Sequence, residues 1–156
     1  MNIQNAALAS IGFPLTGLAQ TLSAVNYSVN FETVKFTFEG PAKISMEQLK
    51  QLYPEHNVAG KIIPITFVDA QRIVNRCLSF HVKGSIPQIT PDTELSMARF
   101  LTFWHLIKEE VVLPSNTVFL HIPDAGSYFN FGIVWNFCII LLSGQEGILI
   151  SGQAYD

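Results

Sequence analysis

The stretch Phe129-Asn130-Phe131-Gly132-Ile133-Val134-Trp135-Asn136-Phe137-Cys138-Ile139-Ile140-Leu141-Leu142 decides the fold. Its odd positions, from Phe129 to Leu141, are all apolar, whereas Tyr128, Asn130, Gly132 and Asn136 at even positions are small or polar. Side chains alternate across a strand with a period of two, so the pattern predicts a strand with one covered face. From Cys138 onward both parities are apolar. That predicts burial on both faces and a central place in a sheet. The run Ile133–Leu142 has about half the ~20 residues a membrane-spanning helix needs.

Strand signals surround this stretch. Ser143-Gly144-Gln145-Glu146-Gly147 is turn chemistry, and Ile148–Ser151 returns as a strand. Upstream, Thr117–Ile122 reads as a strand and Pro123-Asp124-Ala125-Gly126 as a turn. Residues 27–38 alternate on two parities: Tyr27, Val29 and Phe31, then Val34, Phe36 and Phe38. The phase change predicts a bulge or tight turn near Glu32-Thr33. Ile62–Val68 reads as a strand that Pro64 assigns to an edge or a bulge. Ile73–Lys83 reads as a second strand, forming a hairpin with the first; a helical turn around Asp69–Asn75 is the competing reading.

Two helices are expected. Ser45 and Gln48 have capping-box spacing ahead of the stripe Met46, Leu49, Leu52 and Tyr53, and Pro54 ends that helix. Thr90 and Pro91 open a longer one, with Asp92 and Glu94 in its first turn, running to about Glu110. Its core stripe is Met97, Phe100, Leu101, Trp104, Ile107 and Val111. Residues 1–26 read as a short helix after Pro14 or as an arm against a neighbouring subunit. The whole, residues 1–156, is expected to be a single α+β domain: a mainly antiparallel sheet with two helices packed on one face.

The chain has 49% hydrophobic and 13% charged residues, a net charge of −3 and a mean hydropathy of +0.32. An average soluble domain is nearer a quarter charged. So little charge leaves apolar surface to be covered, which points to a homo-oligomer, with a dimer expected, or to a protein partner. The nine Lys plus Arg form no basic run, so nucleic-acid binding is not expected. No Lys or Arg precedes the apolar stretch Ala6–Ala24, which therefore lacks the basic region of a secretory leader. The expected compartment is the cytoplasm, with no membrane association.

Catalytic signatures are weak. His56, His81, His105 and His121 form no local metal-ligand pair. His105 and Glu109 lie side by side at helical spacing, a pattern more typical of a solvated helix surface than of acid–base chemistry. Cys77 and Cys138, both in strand-like runs, are expected to be unpaired buried thiols. Cys77 and His81, four apart on a strand, would be about 13 Å apart, too far for a thiolate–imidazole couple. Gly144, Gly147 and Gly152 precede no helix and cradle no phosphate. No enzyme activity, cofactor or metal is expected.

The back of the long helix carries the most suggestive group: Leu95, Arg99, Phe103, Leu106, Glu109 and Glu110. Apolar anchors beside an arginine, rimmed by carboxylates, match interface composition, so these are the candidate partner-binding residues. A helix sandwiched between sheet and N-terminal arm would carry the same residues. Size and mild acidity resemble those of small cytoplasmic proteins that neutralise toxins. The expected function is therefore non-catalytic protein binding of immunity or inhibitor type, with exposed carboxylates such as Glu109, Glu110, Asp124 and Glu146 in the contact. The alternatives are an apolar-ligand-binding or enzymatic domain with a pocket lined by Trp104, Phe131 and Trp135, and a structural subunit of a larger assembly.

Overall fold

Ile133–Ser143 is a strand that lies two positions in from the edge of a six-stranded sheet. The computed structural model describes residues 1–8, 28–52, 54, 56–58, 61–78, 81–83, 86–88, 118–122, 125–127 and 133–155. In chain order the strands are β1 (Asn2–Leu8), β2 (Ser28–Glu39), β3 (His56–Val58), β4 (Ile63–Ile65), β5 (His81–Lys83), β6 (Ile86–Gln88), β7 (Val118–His121), β8 (Ala125–Ser127), β9 (Ile133–Ser143) and β10 (Glu146–Tyr155). The described helices are α1 (Met46–Leu52) and α2 (Phe67–Leu78). The main sheet has the order β1-β2-β10-β9-β7-β4, and every neighbouring pair in it is antiparallel. Two small antiparallel pairs, β3 with β8 and β5 with β6, complete the described strands. This is an α+β fold.

The β9–β10 hairpin is its centre. Ser143 pairs with Glu146 across a two-residue turn, where Gly144 takes a φ of 61°. That left-handed backbone suits glycine, as the hairpin's tight turn requires. Trp135 and Asn136 are half-buried, whereas Phe137 through Leu142 are buried on both parities. The strand is thus half covered at its start and enclosed at its end. β10 is longer than the expected Ile148–Ser151, because it pairs over its whole length with both β2 and β9.

Each face of the sheet has its own core. On the first, Val34, Phe36 and Phe38 of β2 join Leu149, Cys138, Ile140, Leu142 and Leu120 beneath Leu49 and Leu52 of α1. On the second, Val29 and Phe31 share a face with Ile150, Ala154, Phe137 and Ile139. Helix α2 covers part of that second face, where Phe67 packs against Phe119 at a ring-centroid distance of 5.4 Å. The two described helices therefore lie on opposite faces. The expected long helix from Thr90 lies outside the described residues.

This arrangement corrects the expected bulge at Glu32-Thr33. β2 pairs with β10 without interruption from Ser28–Tyr155 to Thr37–Glu146. Thr33 and Val34 are adjacent and both buried, one on each face. The parity change records which face is covered at which end of a continuous strand. The shifts of register lie elsewhere, in β1 between Ile3 and Asn5 and in β10 against β9 between Ala154 and Tyr155.

Helix α2 overturns the strand expected over Ile73–Lys83 and bears out the competing reading, a helical turn around Asp69–Asn75. Thr66 Oγ1 accepts a hydrogen bond from the Asp69 backbone N–H at 3.1 Å, and Asp69 Oδ2 accepts from the Thr66 N–H at 3.2 Å and from its hydroxyl at 2.8 Å. This reciprocal cap satisfies donors that the first helical turn leaves open. Ala70, Val74 and Cys77 are then buried at helical spacing. The strands read as one hairpin find other partners: β4 pairs with β7, at the sheet edge that Pro64 suggested, and β5 with β6. α1 begins as expected, with Ser45 N–H to Gln48 Oε1 at 2.8 Å and Gln48 N–H to Ser45 Oγ at 3.2 Å. The Gln48 side-chain amide also donates to the Met1 carbonyl. That contact holds the start of β1; the helix or arm expected after Pro14 falls within residues 9–27, which lie outside the described ones.

The centre of β10 is thin where its neighbours are thick. Phe31 of β2 and Phe137 of β9 flank Gly152, and a Cβ there would stand 2.8 Å from Phe31 and 2.5 Å from Phe137. Gly147 meets the Phe36 ring in the same way on the other face. Gly152→Val is expected to destabilise by about 2 kcal/mol or more through overpacking, measured by denaturant unfolding. At the α2 cap, the bonds from Thr66 hold the Asp69 carboxyl below its usual range, with Arg72 adding to the effect. A carboxyl depressed in the native state stabilises above its unfolded pKa and loses that contribution as pH falls through the native value. The melting-temperature gap between wild type and Asp69→Asn is therefore expected at neutral pH and should close on acidification.

Candidate interaction surface

Helix α2 is pinned at its start by the Thr66–Asp69 cap and along its inner stripe by Phe67, Ala70, Val74 and Cys77. That fixes what its outer side presents. Val68, Arg72 and Arg76 follow one another at i, i+4 and i+8, so they form one exposed row. Val68 is 52% exposed. Ile63, 39% exposed, begins the edge strand β4 and faces the same side of the sheet as α2, through its pairing with His121 and that residue's with Ile139. Among the described residues these two are the exposed large hydrophobics.

The charge here is positive. Arg72 and Arg76 on α2 are exposed, and the carboxylate on the same helix, Asp69, is engaged by Thr66. Arg72 Nη1 lies 3.7 Å from Asp69 Oδ1 with its side chain 77% exposed, a loose contact that leaves most of the guanidinium in water. Apolar side chains beside arginines on a rigid helix make an interface composition.

The six residues expected to bind a partner, Leu95, Arg99, Phe103, Leu106, Glu109 and Glu110, lie outside the described residues. So do Trp104, His105, Asp124 and Phe131. Glu146 is exposed beside the β9–β10 turn. Trp135 stacks on Phe137 at 6.2 Å with an interplanar angle of 9°, and both rings approach Phe31. Phe31 and Phe137 are buried, so this group packs as core. A strand over Ile73–Lys83 would not expose this surface; the helix does. The signal for it was present: Thr66-x-x-Asp69 is a capping spacing, followed by apolar residues at 67, 70, 74 and 77.

Both cysteines are free, as expected, but only Cys138 is on a strand. Cys138 belongs to the first core, whereas Cys77 projects from α2 toward the second face, its thiol 3.8 Å from the Asn136 carbonyl. The sheet stands between them. The strand geometry assumed for Cys77 and His81 does not apply, since Cys77 is helical and His81 begins β5. Burial pushes both thiols up to about 12, opposed at Cys77 by Arg76. Each is thus protonated at neutral pH and a poor nucleophile. Among the described residues no group of three or more His, Cys, Asp and Glu could hold a metal ion, and no helix is long and apolar enough to cross a membrane.

No family model matches the chain, and no curated protein matches it. Among solved structures it is similar to that described as the crystal structure of citrus MAF1, with a TM-score of 0.54 and 8% sequence identity over 92% of this chain and 98% of that one. At that identity the likeness is one of fold, and it places the chain among sheet-rich α+β structures.

Proposed function

We propose that this chain is a non-catalytic protein-binding domain that neutralises a partner by stoichiometric association, as an immunity or inhibitor protein does. The observation that carries the reading is the exposed row Val68-Arg72-Arg76 of α2, with Ile63 exposed on the same side of the sheet. An exposed valine and isoleucine on the side that carries two arginines suit a partner that offers an apolar pocket rimmed by carboxylates. This surface is more basic than the acidic contact expected from Glu109, Glu110, Asp124 and Glu146. The unpaired thiols on opposite faces of the sheet fit a reducing compartment, and hence the cytoplasm. Their raised pKa values favour a structural role for both cysteines.

Two measurements test the reading. Capture from native lysate, followed by light scattering, should recover a complex of fixed stoichiometry. Val68→Asp and Arg72→Glu should each weaken that complex at least tenfold, about 1.4 kcal/mol, while leaving the melting temperature close to that of wild type. Undiminished binding by both variants would remove this surface from the interface. Separately, Cys77 and Cys138 should resist alkylation at neutral pH in the folded chain and react once it is denatured. Rapid labelling of the native protein would argue for a reactive thiol and against a non-catalytic domain.

A further inference from the structure

The main sheet ends in two edges that are built differently. β4, at one end, is three residues long and has Pro64 at its middle, which lacks the N–H that a further strand would need. It is blunted, as edge strands commonly are. β1, at the other end, is seven residues long, Asn2-Ile3-Gln4-Asn5-Ala6-Ala7-Leu8, with no charged residue and no proline. Its one irregularity, between Ile3 and Asn5, leaves Asn5 through Leu8 in regular register against Thr37 through Val34. Asn5, Ala6 and Ala7 are consecutive and all exposed, so both faces of the strand are open there.

We propose that β1 is a homodimer edge, pairing antiparallel with β1 of a second copy so that two six-stranded sheets become continuous. A strand laid antiparallel on its own copy is related to it by a two-fold axis, the commonest symmetry of homo-oligomers. Self-pairing sets each side chain against the same short sequence, and like charges directly opposite destabilise a strand pair. A strand of Asn, Gln, Ala, Ile and Leu carries none. Its amide side chains both donate and accept, so they complement themselves. Ala6 and Ala7 are small enough for a second backbone to approach closely. The start of the strand is held by the contact from Gln48 to the Met1 carbonyl, so part of the ordering cost of pairing is met within the monomer. The low charge of the whole chain, 13%, points the same way. This surface is at the opposite end of the sheet from β4, so the inference stands apart from the proposed partner site.

The test is sedimentation of the wild-type chain over a range of concentrations, where a reversible monomer–dimer equilibrium is expected. Ala6→Lys and Ala7→Lys are at exposed positions and bring like charges together across the two-fold axis. Each should weaken the dimer at least tenfold with little change in melting temperature. Ala6→Cys should cross-link two copies under mild oxidation, since the native thiols are buried. Val68→Asp should leave the dimer intact. A chain that stays monomeric at every concentration overturns the proposal, as does a dimer indifferent to both lysines or one lost only on Val68→Asp.

Discussion

Burial of β9 and β10 on both faces is the constraint from which the rest of the structure follows. Over Phe137–Leu142 and Gly147–Gly152 every residue is buried. Buried backbone N–H and C=O groups must be paired. The two strands meet that demand with each other and with β2 and β7. Their side chains then need apolar cover above and below. α1 supplies cover on the first face and α2 on the second, so the domain has two cores divided by one sheet.

Close packing around β10 depends on the glycines. Phe31, Phe36 and Phe137 lean over Gly152 and Gly147, and their rings occupy volume that a Cβ would take. Large side chains on the flanking strands β2 and β9 thus fill space that β10 leaves open. Buried aromatics at these positions are structural, and the same applies to the half-buried Trp135 stacked on Phe137. The two exposed surfaces differ in chemistry: the outer side of α2, which packs over β9 and β7, carries arginines, whereas the edge strand β1 carries uncharged amides. The two proposed contacts use those surfaces. One is a convex helix with arginines, suited to a different protein. The other is a flat edge of main chain, suited to an identical one.

The sequence was most legible where burial is uniform along an element. Phe129–Leu141 and its return strand show a period-two pattern that turns into an unbroken apolar run, and the structure places Ile133–Ser143 in the sheet interior accordingly. The Ser45–Gln48 cap was equally clear, because both partners lie within one turn of helix. Legibility failed where local signals competed. Phe67–Leu78 contains β-branched Val68, Ile73 and Val74, which favour extended chain, and the Thr66–Asp69 cap decides for the helix. β1 has little strand propensity in Asn, Gln and Ala, and it forms because β2 offers an edge to pair with. The candidate surface on α2 was hidden for the same reason: Val68 lies on an exposed face only once the segment is helical.

By itself, the sequence determined that the chain folds as an antiparallel α+β domain, where its central hairpin turns, and that its cysteines need not pair. These follow from interactions between residues close in the chain and from the alternation of a pleated strand. Tertiary structure alone decided that β2 crosses from one core to the other without a bulge, that the two described helices cover opposite faces, and which sheet edge is blunted and which is open. Alternation reports that a face is covered but not by what. That information resides in contacts between segments far apart in sequence, which no local pattern encodes.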